Sequence, residues 1–189
     1  MNQHVERLAR MMPPPPRSSA PPNWPAVERS LGFALPGDYK DLVDRYGPGR
    51  FDDFLAVLAP GHPVPRLDLV HGVAEAADTL RVYASSGEAL PAPVDGLTAV
   101  AWTDNGDTVY WLRDPGSPPD RWRIAVNGAR DFDEWHLFDG CLAHFLVAVL
   151  NREWWCPRSP ATSPARTPRR PSRRTATDRV PSATRRCRR

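Results

Sequence analysis

The stretch WPAVERSLGFALPGDYK, residues 24–40, decides how the body of this chain folds. Its apolar residues recur at helical spacing behind Pro25, which is favoured as a first helical residue, until Gly32 ends the helix. Pro36 then starts a second helix, and the apolar residues behind it follow the i, i+3, i+4, i+7 rule as far as Tyr46. The two predicted helices cover residues 24–31 and 36–46.

A β-hairpin is the clearest local prediction in the second half of the chain, at residues 97–112. Asn105-Gly106 favours the positive φ angles of a type I′ turn. Folding about this turn pairs an aromatic with a β-branched residue twice, Trp102 with Val109 and Val100 with Trp111. Such cross-strand pairs contribute about 0.2–1 kcal/mol each.

The other predicted elements surround this hairpin. We expect a short helix at residues 4–12, a strand at 51–58, a helix at 69–80, strands at 122–126 and 132–138, and a final helix capped by Asp139. Helices at both ends around mostly hairpin-linked strands imply an α+β domain. The expected sheet is twisted, largely antiparallel or mixed, and packed with helices.

Charge and composition divide the 189 residues unevenly. Residues 1–22 hold the short helix and a proline-rich linker, and residues 23–156 form the domain. Residues 157–189 carry 11 arginines and one acid, whereas residues 1–156 hold the other 14 basic and 21 acidic side chains. Because the tail has little apolar surface to bury, we expect it to be disordered. The chain is predicted to be an acidic body with a basic tail.

The cellular setting follows from cysteine usage and from the apolar runs. The three cysteines are too few and too scattered for a disulfide framework, which fits a reducing compartment. The N-terminus lacks the apolar core of a secretory signal, and no apolar run reaches membrane-spanning length. We expect a soluble, cytoplasmic protein.

Four short motifs occur in a fixed order along the body. They are Trp24…Glu28…Leu31-Gly32, Leu35-Pro36-x-Asp38-Tyr39-Lys40, Tyr46-Gly47-x-Gly49-x-Phe51, and Ala101-Trp102-x-x-Asn105-Gly106-Asp107…Tyr110-Trp111. Together they resemble the SMI1/KNR4-type domains of the SUKH superfamily, over about residues 23–150. The resemblance implies a twisted sheet packed with helices. Most matching residues are explained by structure, since apolar residues at helical spacing face a core and glycine and proline punctuate the backbone.

The resemblance also implies a function. Bacterial members of this family look largely like immunity proteins, which bind and silence a toxin. Members outside toxin systems look like interaction scaffolds with disordered flanks, and this alternative stays open. A third hypothesis is nucleic-acid binding through the arginine-rich tail, although charge alone gives only non-specific attraction.

Acidic clusters are the candidate partner-binding residues. They are Asp52 and Asp53, the hairpin tip with Asp104 and Asp107, and Glu134 with the aspartates just before it. In the predicted register Asp104 faces Asp107, and two opposed like charges favour a basic partner or a cation. The alternative is that aspartate simply favours turns and solvated faces. A toxin that acts on nucleic acid, a nuclease or a deaminase, is the expected partner, because such a protein holds phosphate with Lys and Arg.

Motifs for catalysis or metal binding are not recognised in the sequence. Cys141 and His144 share a helical face near His136, but no second Cys/His pair completes a tetrahedral set. Ser85-Ser86-Gly87 lacks the flanks of a nucleophile elbow, and no phosphate-binding loop or dinucleotide fingerprint occurs. We therefore expect a non-enzymatic binding protein without metal or cofactor.

Overall fold

The computed structural model of the chain describes residues 2–16, 20–128 and 134–154. These residues form five α-helices and a six-stranded sheet, which confirms the predicted α+β class. The helices are α1 (Gln3–Met11), α2 (Trp24–Leu31), α3 (Gly37–Tyr46), α4 (Leu69–Ser85) and α5 (Leu142–Leu150). The strands are β1 (Gly49–Phe51), β2 (Leu55–Val57), β3 (Leu97–Thr103), β4 (Thr108–Leu112), β5 (Arg123–Asn127) and β6 (Trp135–Phe138).

The sheet is an antiparallel meander whose strands lie side by side in chain order, from β1 to β6. Successive side chains of a strand point to opposite faces. Tyr110 lies on the face covered by α4, whereas the next residue, Trp111, meets Tyr39 of α3 on the other face. Phe138 of β6 meets Phe145 of α5. The sheet therefore lies between α4 on one side and α3 with α5 on the other.

Tyr39 lies at the centre of the core. It is fully buried, and its ring meets Trp111 edge-on with 5.0 Å between centroids. Its hydroxyl donates a 2.7 Å hydrogen bond to the carbonyl oxygen of Leu58, just beyond β2. Burial raises the pKa of Tyr39 well above its ordinary value. The hydroxyl therefore stays protonated as a donor, and its hydrogen bond joins α3 to the segment that follows β2.

The first helix belongs to the same core. Val5 and Leu8 of α1 are fully buried among the residues of the main hydrophobic cluster. Glu6 forms a 2.7 Å ion pair with Arg45 of α3. The predicted division between residues 22 and 23 therefore does not mark where the core begins. Apolar residues before the proline-rich segment are part of it.

The connection between α2 and α3 is fixed by side-chain hydrogen bonds. Glu28 accepts one bond from the backbone N–H of Leu35 and another from Nζ of Lys40, both 2.8 Å long. These bonds lower the pKa of the Glu28 carboxyl. On the same helix, Nε1 of Trp24 donates to Oδ1 of Asp44 at 3.0 Å. The two helices predicted from residues 24–40 are thus tied together by polar contacts as well as by apolar packing.

The last helix begins differently from the prediction. The residue at the N-cap of α5 is Cys141, whose side chain makes no capping bond, so the prediction that Asp139 caps the helix is wrong. Asp38 of α3 instead accepts a 2.8 Å hydrogen bond from the backbone N–H of Ala143. Asp38 is 3% exposed, and burial raises the pKa of its carboxyl. A distant aspartate thus satisfies a donor that the helix leaves free.

The predicted strand at residues 51–58 is wrong, because the segment contains a turn. Phe51 and Leu55 pair across β1 and β2. Between them Asp52 and Asp53 have φ angles of 54° and 50°, and the N–H of Phe54 donates to the carbonyl of Phe51. Two consecutive positive φ angles define a type I′ turn. Aspartate tolerates this conformation, so no glycine marks the turn in the sequence.

The hairpin of β3 and β4 is present, but its predicted register is wrong by one residue. The observed pairs include Trp102 with Thr108, Ala101 with Val109 and Thr98 with Trp111. A hydrogen bond from the N–H of Gly106 to the carbonyl oxygen of Thr103 closes the turn. The φ angle is positive at Gly106 but not at Asn105. A three-residue loop of this kind replaces the two-residue turn. A bulge at Val100 then shifts the remaining pairs.

Within the described ranges, no helix combines the length and the apolar character that a bilayer span requires. The expected disorder of residues 157–189 concerns residues outside those ranges, as do the first residues of the strand expected at 132–138.

Candidate interaction surface at the turn end of the sheet

Three connections reach the same end of the sheet because all neighbouring strands are antiparallel. The β1–β2 turn follows Phe51, the β3–β4 turn follows Thr103, and the β5–β6 connection follows Asn127. Leu55 pairs with Thr103, so the first two turns are neighbours. We define the turn end of the sheet as residues 52–54, 104–107 and 134. It gathers acidic residues from three separate parts of the sequence.

Asp52 and Asp53 are the most exposed part of the turn end. Both side chains are open to solvent, and neither carboxylate has a hydrogen bond or ion pair with any residue that the structure describes. Both residues adopt the left-handed backbone of the type I′ turn. The turn therefore presents two adjacent negative charges to solvent.

Asp104 lies on the neighbouring turn and is partly neutralised. Its carboxylate forms an ion pair with Arg50 of β1, and 57% of its side chain remains exposed. Its backbone N–H donates a 3.0 Å bond to the carbonyl of Phe54. This bond joins the two turns, so Asp52, Asp53 and Asp104 form one acidic group.

Asp107 was expected to bind a partner, and its burial contradicts that expectation. The residue is fully buried. Its Oδ2 accepts a 2.8 Å hydrogen bond from the hydroxyl of Thr103. The backbone N–H of Asp107 donates a 3.0 Å hydrogen bond to Oγ1 of Thr103. Asp107 therefore closes the hairpin turn from inside. The expected opposition of two exposed carboxylates does not occur, because Asp104 is exposed and Asp107 is not.

Glu134 is exposed at the start of β6, where its carboxylate lies 3.3 Å from Nε2 of His136. Neighbouring strands are about 4.8 Å apart, so β6 lies about 14 Å from β3 across the sheet. Glu134 therefore belongs to the far side of the turn end. The two aspartates that the sequence groups with it, at positions 131 and 133, lie outside the described residues.

A pocket of about 200 Å³ opens beside the acidic turns, between α4 and the sheet. Trp102, Tyr110 and Asn127 line its sheet side, and Glu75 and Arg66 stand opposite. The guanidinium of Arg66 lies 5.0 Å from the centre of the Trp102 ring. The sequence prediction missed this pocket, because its residues come from five separate segments. Its aromatic walls and polar groups suit a partner's side chain.

The other residues of the family-like motifs have structural positions. Gly32 ends α2 in the left-handed conformation, with φ 79°, and Gly47 ends α3 with φ 69°. Leu35, Pro36, Tyr39, Phe51 and Trp111 are buried, and Trp24, Leu31 and Trp102 are partly buried against the core. Gly49 begins β1. These residues build the scaffold that places the turn end.

The residues considered for metal binding take part in packing. Burial, together with the nearby Asp38, raises the pKa of the Cys141 thiol to about 12, so the thiol stays protonated at neutral pH. His144 stacks on His4 with 4.3 Å between ring centroids and also meets Phe138. Among the described residues no three His, Cys, Asp or Glu side chains converge as a metal site would require.

Comparisons of the chain with protein-family models, with curated proteins and with solved structures gave no match. The resemblance to SMI1/KNR4-type domains therefore stays a prediction from the sequence motifs. What bears on function is the geometry of the turn end.

Proposed function

We propose that this chain is a non-catalytic immunity protein of SMI1/KNR4 type, which binds a basic protein toxin through the turn end and blocks it by occlusion. The observation that carries the proposal is the exposed pair Asp52 and Asp53, on a turn beside Asp104, with no hydrogen bond or ion pair to either carboxylate among the described residues. Natural turns of this type favour Asn-Gly. Two adjacent aspartates add like-charge repulsion, which a basic partner would relieve.

Charge supports a toxin that acts on nucleic acid, a nuclease or a nucleic-acid deaminase. Such proteins hold phosphates with Lys and Arg, so an acidic protein surface can occupy the same site. Residues 1–156 carry 21 acidic and 14 basic side chains, and an acidic surface on this part of the chain attracts a basic partner. Close charge pairs at an interface contribute about 1.5–7 kcal/mol of coupling.

The pocket beside the turns supplies a second element of recognition. Binding energy at protein interfaces concentrates in a few well-packed aromatic or arginine anchors, and the charges around them contribute steering. Trp102, which is partly buried, offers aromatic surface next to Gly106 of the β3–β4 turn, whereas Tyr110 is buried. A toxin side chain seated there would place toxin cations against Asp52 and Asp53.

The test is inhibition of an isolated toxin. A basic nuclease or deaminase domain captured with this chain from the cells that encode it is purified, and its activity is titrated with the full-length chain. We expect loss of activity that is complete at one chain per toxin, because occlusion is stoichiometric. Binding without inhibition would contradict the immunity function and would favour the scaffold alternative.

A further inference from the structure

A second surface lies at the opposite end of the sheet from the turn end. Leu97 begins β3 and Arg113 follows the end of β4, so both lie far from the β3–β4 turn. With the last turn of α2 and the outer side of α4, they line an open groove of about 470 Å³. We call this the Arg113 groove.

One wall of the Arg113 groove is an apolar stripe on α4. Its members recur at i, i+3, i+4 and i+7: Val70, Val73, Ala74 and Ala77. The buried face of the helix is a different set: Leu69, Gly72, Ala76 and Leu80. Val70 is 37% exposed although it is a large apolar residue. Ala74 is exposed as well, whereas Val73 packs against the core and Ala77 is partly buried. A second stripe at helical spacing that is partly exposed is typical of a helix that contacts a peptide or another protein.

Arg113 gives the groove a cation with free hydrogen-bonding capacity. Its guanidinium carbon lies 3.8 Å from the ring centre of Phe33 and 5.5 Å from that of Trp122. Nη1 makes one long bond of 3.4 Å to Oγ1 of Thr98, and Nε has no hydrogen-bond partner. None of the ion pairs among the described residues includes Arg113. Nε is buried, so aromatic stacking fixes the guanidinium plane and leaves the Nη side for a planar, two-oxygen acceptor.

The surroundings favour a single carboxylate over a phosphate. Arg81, which also forms an exposed ion pair with Asp78, adds a second cation to the lining, and Asp95 adds an anion. The carbonyl end of α2, at Ser30 to Gly32, also faces the groove. A helix C-terminus carries partial negative charge, which disfavours a dianion more than a monoanion. The apolar stripe would be left uncovered by a free phosphate but not by a peptide.

We propose that the Arg113 groove docks an acidic peptide segment of a partner protein, with a Glu or Asp side chain on Arg113 and its apolar neighbours on the α4 stripe. The basic tail of this chain does not suit the groove, since residues 157–189 hold 11 arginines and one acid. The site is independent of the proposed toxin-binding function, because it lies at the other end of the sheet and selects the opposite charge.

The test uses the full-length, ¹⁵N-labelled chain and two amidated, acetylated octapeptides. One alternates Leu with Glu, and its matched control alternates Leu with Gln. We expect the Glu peptide to shift the Arg113 Nε–H resonance and the amides along the outer side of α4, with at least tenfold higher affinity than the Gln peptide. Replacement of Asp52 by Asn and Asp53 by Gly, which alters only the turn end, should leave this binding unchanged.

Three variants identify the groups responsible. Arg113→Gln should lower the affinity for the Glu peptide at least tenfold, and Arg81→Gln at least threefold. The exposed Arg121 serves as the matched control, so Arg121→Gln should have no effect. If Arg113→Gln lowers the thermal midpoint, Arg81→Gln decides, because its side chain is exposed and outside the core.

Four results with the peptides would overturn the proposal. They are equal affinity for the two peptides, shifts confined to residues away from the groove, no binding at millimolar peptide, and unchanged affinity in Arg81→Gln. Inorganic phosphate that binds more tightly than the Glu peptide would also overturn it, by showing a phosphate site instead.

Discussion

Asp104 and Asp107 stand three residues apart at one turn, yet the first is exposed to solvent and the second is fully buried. The difference comes from Thr103, whose hydroxyl lies between the side chain and the backbone of Asp107. In the sequence both aspartates belong to the same turn motif. Their roles could not be separated without the strand register, which the three-residue loop sets.

Replacement of Asp107 tests its structural role. We expect Asp107→Ala to lower the free energy of unfolding by about 2 kcal/mol, since it removes a buried hydrogen bond and leaves the Thr103 O–H without its acceptor. Urea denaturation measures the change. The matched control is Asp104→Asn, which breaks only an exposed ion pair and should cost less than about 1 kcal/mol. Equal effects would contradict the assignment.

Glu28 provides a second test at the residue scale, through pH. Hydrogen bonds from Lys40 and Leu35 lower the pKa of its carboxyl in the folded chain. Its contribution to stability is therefore complete above about pH 4.3, the ordinary glutamate value, and decreases as the pH falls through the lower folded-state pKa. Glu28→Gln should destabilise the chain at pH 7 and have a smaller effect at pH 3. Denaturant midpoints of both proteins at both pH values provide the measurement. A difference in stability between the variant and the original chain that does not change with pH would contradict this role of Glu28.

At the scale of elements, the sequence predicted the helices better than the sheet. The periodic apolar residues and the Pro and Gly boundaries located α2, α3 and the core of α4. The β1–β2 turn escaped prediction because Asp52 and Asp53, not glycine, adopt positive φ. The cap of α5 escaped it as well, since Asp38 comes from a distant helix. Local sequence patterns predict local structure, whereas the cap of α5 depends on a contact between distant parts of the chain.

The packing of α1 on α5 makes a prediction about acid. His4 stacks on His144. Burial is the main cause that lowers the pKa of His4, and the charge of nearby His144 is the next. The folded chain therefore favours the neutral form of His4 more than the unfolded chain does. Stability should decrease as the pH falls below about 6.5, where the unfolded chain protonates this residue, until the folded-state pKa is passed.

The variant His4→Phe keeps an aromatic ring in the stack and removes the titrating group. We expect it to reduce the loss of stability between pH 7 and pH 5, which denaturant midpoints would show. His71 is exposed on α4, so His71→Phe is the matched control and should leave that pH dependence unchanged. An unaltered pH profile in His4→Phe would contradict a role for the stack.

For the whole molecule, the meander gives two ends of different character. One end collects Asp52, Asp53, Asp104 and Glu134 from three connections, and the other holds the Arg113 groove. The sequence predicted most of the acidic residues of the turn end, because acids in turns are visible in the sequence. It did not predict the pocket beside them or the groove, since both form only when α4 packs against the sheet.

The central claim is that the turn end binds a basic toxin, and a single affinity comparison tests it most directly. The variant replaces Asp52 by Asn and Asp53 by Gly, which removes two charges and keeps a turn that tolerates positive φ. Its matched control replaces Asp78 and Asp139, two exposed acids away from the turn end, by Asn.

We predict that the turn variant binds the captured toxin at least tenfold more weakly, mainly through slower association in low salt, while its thermal midpoint is unchanged or higher. The control should bind like the original chain. Equal affinity of the turn variant and the control would contradict the account.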